Sequence, residues 1–174
     1  MNHLTRFVRA LVLSGTPALF LPLLLHGQAK TIQTDQLIRE SDVIVVGKVD
    51  ALKSEWTEDS SRIQTLVTFS VAEAIKGDLP GGSLSVVVPG GEVADIGEWY
   101  SHSVRFKEKE EVVLFAKKDS KGIMRVTAGE HGKFLITDGV KAGSKIIPNI
   151  GSLEDFTGQV KNTVRIQKSS RGEN

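Results

Sequence analysis

The stretch RIQTLVTFSVAEAIKGD, Arg62 to Asp78, decides the fold. Ile63, Thr65, Val67, Phe69 and Val71 fall on one side of an extended chain, and Gln64, Thr68 and Ser70 fall on the other. A two-residue period held this long is the signature of a half-buried antiparallel strand. The phase slips at Glu73, because Ala74 and Ile75 break the alternation. A β-bulge or sharp bend is expected there.

Working outward, VIVVGKVDALKSEW (Val43–Trp56) precedes it across the polar turn TEDSS and reads as a strand buried at its start. KGDLPGGS is a turn cluster, and LSVVV (Leu84–Val88) a short strand. EVVLFAKK, the turn DSKG and IMRVT read as a hairpin. GKFLIT reads as one further strand, with a second hairpin signal at Asp138-Gly139, and VKAGSKII as an edge strand. Near the N-terminus TDQLIRESD predicts a short helix capped by Thr34, with Leu37 and Ile38 on one side. Near the C-terminus Ser152 and Asp155 suit a capping box, and Leu153, Phe156, Val160 and Val164 share a helical face. The pattern predicts an all-β chain with small α content: a five- to six-stranded OB-like barrel with a short N-terminal and a C-terminal helix. That single domain is expected over residues 30–167, with a disordered tail at 168–174.

Residues 1–29 differ in kind. Arg6 and Arg9 are their only charged residues, an apolar run follows from Ala10 to Leu25, and HGQA supplies small residues at a cleavage spacing. This is the pattern of a secretory signal peptide cut after Ala29, and the run is short for a membrane span. Without Arg6 and Arg9, 20 of the 22 basic residues remain against 21 acidic ones. A nearly neutral exported chain has no electrostatic claim on nucleic acid. The chain contains 0 cysteines, which excludes disulfides, thiol nucleophiles and thiolate metal sites.

Candidate chemistry concentrates in VVVPGGEVADIGEWYSHSVRFKEKEEVVLFAKK, Val86 to Lys118. Its glycines do not lead into a helix and no GK[ST] follows, so they let the chain leave a strand rather than cradle phosphate. Asp95, Ser101, His102 and Ser103 offer the residue types of a hydrolase triad. Neighbours in one loop seldom converge as a triad must, and no G-x-S-x-G elbow is present. His102 and His131 are the only histidines after Ala29, at no metal-ligand spacing; neither metal ligands nor a cofactor are assigned. Lys117, Lys118, Lys121 and Arg125 read as edge-strand protection. Trp99 and Tyr100 are the strongest functional signal: either exposed anchors at an interface or rings folded back to plug the barrel. Glu98, His102 and Arg105 complete the candidate surface.

Five segments in this order and spacing carry a family resemblance: SDVIVVGKV (Ser41–Val49), TFSVAEAIKGD (Thr68–Asp78), LSVVVPGG (Leu84–Gly91), RFKEKEEVVLFAKK (Arg105–Lys118) and GKFLI (Gly132–Ile136). They resemble the netrin-module and tissue-inhibitor-of-metalloproteinase-like group of OB-fold domains, and more closely the bacterial exported proteins built on that plan. The resemblance implies an OB-like barrel, an exported address and a protein-facing surface. It does not carry over zinc chelation by an N-terminal cysteine, which this chain lacks. The expected function is non-covalent binding of another exported or cell-envelope protein, with no enzymatic activity, no nucleic acid and no membrane contact after leader removal. Inhibition or support of an exported protease, and a small serine hydrolase, stand as alternatives.

Overall fold

The structure, a computed structural model, describes residues 28–101 and 103–172. Most of the expected leader, residues 1–27, lies outside them. The chain opens with α1 (Gln28–Glu40), followed by the two long strands β1 (Val43–Trp56) and β2 (Ile63–Lys76). Then come β3 (Ser83–Pro89), β4 (Gly91–Val93), β5 (Ile96–Glu98), β6 (Glu111–Lys118) and β7 (Met124–Val126). A 3-10 turn at Gly129–Gly132 leads to β8 (Lys133–Leu135), β9 (Thr137–Asp138), β10 (Lys145–Ile147), β11 (Gly151–Ser152) and α2 (Leu153–Arg171). Among the described residues no helix is long and apolar enough to cross a membrane.

The main sheet runs β3-β2-β1-β6-β7, with β8 also on β6. The slip foreseen at Glu73 is present on both sides of that residue. Val45 faces Ala74 while Ile44 faces Lys76, and Val46 faces Glu73 while Gly47 faces Val71, which leaves Ile75 and Ala72 as extra residues on β2. A third irregularity leaves Asp50 unpaired on β1. Bulges add local twist and bend the strand, so β1 and β2 curl along their length.

Alternation then sorts two cores onto opposite faces. Val43, Val45, Val67, Phe69, Val86, Val112 and Leu114 form one, with Val126 from β7 and Val104 and Phe106 from the loop before β6. Ile44, Val113 and Phe115 form the other, covered by Leu37 and Ile38 of α1 and Phe156, Val160 and Val164 of α2. β6 is buried on both faces, which is why VVLFA reads as an unbroken apolar run. The helices are fastened at their ends. Ser152 Oγ accepts from the Asp155 amide at 3.0 Å, as the capping box required. Lys76 Nζ donates to the carbonyls of Ile38 (2.6 Å) and Ser41 (2.5 Å), a cation at the C-terminal end of α1.

Four expectations need correction. The sheet is open: edges β3 and β7 share one core and Arg125 Nη1 reaches Val87 O at 3.5 Å, but no ladder joins them. Thr34 is no cap, because α1 begins at Gln28. GKFLIT is split at the buried Ile136, whose amide bonds Glu111 O at 2.8 Å, so that β8 belongs to the main sheet and β9 to a small β11-β10-β9 sheet. The tail expected to be disordered from residue 168 continues α2 as far as Arg171. Hydroxyls of Ser169 and Ser170 donate back to the carbonyls of Arg165 and Gln167 there.

Candidate functional site

The segment between β3 and β6 has strand structure that its sequence hides: β4 and β5 pair as a hairpin, with Gly91 opposite Glu98 and Val93 opposite Ile96. Its root is a pair of glycines. Gly90 (φ +88) lies against Glu98, and Gly91 (φ +140) presses on Ser54 and Thr65 of β1 and β2. Thr65 Oγ1 donates to Gly90 O at 2.7 Å and lies 2.9 Å from Ser54 Oγ, which accepts from the Glu92 amide at 3.3 Å. Thr65 thus interrupts the apolar face of β2 in order to hold the hairpin.

The second fastening is Glu98. Its Oε2 accepts from the Ile63 amide at 2.6 Å, and its Oε1 from Arg62 Nη1 at 3.2 Å and from the Tyr100 hydroxyl. Arg62 Nη1 also donates to Tyr100 Oη at 2.9 Å. The Tyr100 hydroxyl above all, then the Ile63 amide and the Arg62 guanidinium, hold the Glu98 carboxyl below the usual carboxylate range. The hydrogen bonds that Arg62 donates to the Tyr100 oxygen and to Glu98 raise its own pKa in turn.

The sign of the pH effect follows. A depressed carboxyl contributes stability above its unfolded-state value of about 4.3 and loses it as pH falls through the lower folded value. The Ile63 amide proton is expected to titrate with a midpoint below about 4.3, and to lose that step in Glu98→Gln. An NMR titration that finds the ordinary midpoint would break the network as described.

Trp99 and Tyr100 part company. Tyr100 is half-buried in this network, whereas Trp99 is 59% exposed. The Trp99 indole edge lies over Gly97, where a Cβ would come 3.2 Å from Nε1. The Arg105 guanidinium sits 4.8 Å from the Trp99 ring centre. Arg105 is placed from behind: its carbonyl accepts from Lys133 Nζ at 2.6 Å, and the same ammonium pairs with Glu110 at 2.6 Å and caps the Phe106 ring at 4.7 Å. Val104 and Phe106 point inward as expected. An open cleft of about 450 Å³ lies here, lined by Tyr100, Ser101, Ser103, Arg105, Glu130 and Lys133.

Of the five candidates, Glu98, Trp99, Tyr100 and Arg105 come together at one end of the sheet, and His102 lies outside the described residues. Of the triad residue types, Asp95 sits in the hairpin turn and Ser103 Oγ donates to Pro89 O at 3.0 Å. Arg62, Ser54, Thr65 and Lys133 join the site from outside the candidate segment Val86–Lys118. Among the described residues no three His, Asp or Glu side chains converge as a metal site needs. A larger groove of about 1290 Å³ follows α1 and α2. It is floored by Leu37, Ile38, Phe134 and Phe156 of the second core, which makes it the seam between the helices and the sheet. No family model matches the chain, and the curated proteins and solved structures yield no match either.

Proposed function

We propose that this protein is an exported, non-catalytic binding module on an OB-like plan, which engages another exported or cell-envelope protein through the β4–β5 end. The leader pattern supports the address, and the curled sheet with adjacent β3 and β7 edges supports the plan. One observation carries the reading: Trp99 stands in water at the end of a hairpin whose root is bonded to β1 through Ser54 and to β2 through Thr65 and Ile63. A large exposed ring with only two side-chain torsions buries much area on contact and loses little entropy. The exposed turn Ala94–Asp95 supports a second reading, insertion of the hairpin into an exported protease as inhibitor or accessory module. The hydrolase alternative has less support, since the Ser103 hydroxyl is committed to a carbonyl.

The test is capture from envelope and culture-supernatant fractions by the immobilised protein and by Trp99→Ala. The variant is expected to keep its melting temperature and to lose about 2 kcal/mol or more of affinity for whatever the parent captures. Equal capture by both removes Trp99 from the binding surface. Protease-inhibition assays separate the second reading from the first.

A further inference from the structure

Resting on that reading, we infer that the Trp99–Arg105 pair and the cleft beside it recognise a carboxylate, the side chain of an Asp or Glu in an extended segment of the partner. The first ground is the state of Arg105. Arg62 and Arg125 spend their guanidinium groups on Glu98 and Asp119. Arg105 has no hydrogen bond or ion pair from its side chain among the described residues, and its guanidinium lies over the Trp99 ring. A cation held over a ring is positioned without using its N–H donors, which stay open. That is the geometry that grips a planar carboxylate with two parallel hydrogen bonds. Lys133 anchors the Arg105 backbone, so the group is held at both ends.

The second ground is charge. The Lys133 ammonium is matched by Glu110, and both side chains are largely shielded, at 15% and 13% exposure. Glu130 lines the same cleft. With Lys133 paired, Arg105 is the one remaining cation among the residues that line the cleft, and a single guanidinium near the Glu130 carboxylate matches a monoanion better than a phosphate dianion or a polyanion. The third ground is room: the open cleft of about 450 Å³ beside Arg105 lies within the range of ligand pockets, and the exposed Trp99 ring against the guanidinium offers apolar surface next to it.

The experiment is an NMR titration of the ¹⁵N-labelled protein, reading the Trp99 indole N–H and the Arg105 Nε–H. The probes are acetyl-Leu-Glu-Leu-amide, its Gln isostere and its phosphoserine analogue, each up to about 10 mM. The Glu peptide is expected to shift both resonances saturably and to bind about 10-fold tighter than the Gln peptide. Arg105→Ala should abolish that preference. Arg105→Lys keeps the charge without the fork and should lose most of it, at an unchanged melting temperature. Equal shifts with Glu and Gln, or no shift with either, overturn the assignment. So does tighter binding of the phosphoserine peptide, which would transfer the site to phosphate. If Trp99→Ala loses the captured partner while Glu and Gln peptides behave alike, the hairpin end binds by other chemistry and the carboxylate inference alone falls.

Discussion

Gly91→Ala is expected to cost about 3 kcal/mol and to lift the β4–β5 hairpin off the two long strands. Gly91 holds φ at +140, where an L side chain is strained whatever space it finds. There is no space either: a Cβ would come 2.3 Å from Thr65 Oγ1 and 2.4 Å from Ser54 Oγ. Neither hydroxyl is idle, since together they hold Gly90 O and the Glu92 amide. Relief therefore requires breaking those bonds, at about 1 kcal/mol each, or moving the hairpin. For a chain of this length the melting temperature should fall by roughly 6–12 °C. Gly82→Ala is the control, with φ at +66 and open space around the added methyl, and it should cost about 1 kcal/mol. Equal melting temperatures for the two variants would show that the hairpin root is not packed as described. The Trp99 indole resonance should move in Gly91→Ala and stay in place in Gly82→Ala.

What the sequence reveals and what it hides divide along the range of the contacts. β1, β2, β6 and the Ser152 cap are written in local period and local chemistry, and each falls where the pattern puts it. The β4–β5 hairpin is not legible. Its strands are three residues each, only Val93 and Ile96 alternate as apolar residues, and its turn is Ala94–Asp95 with Ala94 at φ 52. A hairpin turn normally announces itself by Asn-Gly or Asp-Gly. The run Phe134-Leu135-Ile136 has no period, so nothing local marks the break that sends β9 to a separate sheet. Barrel closure fails for a similar reason. Asp119 accepts the amides of Lys121 and Ile123 and the Arg125 Nε–H, which fixes the turn, but β7 then extends for three residues, and no ladder reaches β3.

The site follows the same rule. Adjacent Trp99 and Tyr100 are conspicuous in composition, yet they part: the Trp99 ring faces water, and Tyr100 is half-buried in the Glu98 network without plugging a barrel, since the sheet is open. Arg62 lies 36 residues from Glu98 and Thr65 25 from Gly90, so no spacing rule links them. The signal that was present is Thr65 itself, a hydroxyl on an otherwise apolar strand face, since a buried polar group must find a partner.

Phe69→Ala is the substitution with the largest expected cost, about 3–5 kcal/mol. Phe69 is fully buried at 0% exposure, on the face of β2 that meets β3 and the loop before β6. Its ring meets Phe106 nearly edge to face, with centroids 5.3 Å apart and planes at 82°. Deleting it removes the transfer energy of a phenyl ring and leaves a cavity that the bulged but continuous β1–β2 ladder cannot collapse to fill. The loss reaches the site, because Phe106 is the inward neighbour of Arg105 and lies under the Lys133 ammonium. Trp99→Ala is the counterpart, since its ring is mostly in water and its removal should change stability by no more than about 0.5 kcal/mol. Urea denaturation of the two variants separates a ring that builds the fold from one that the fold displays. If Trp99→Ala shifts the midpoint as far as Phe69→Ala does, then Trp99 belongs to the interior, and Arg105 loses the exposed ring that positions it.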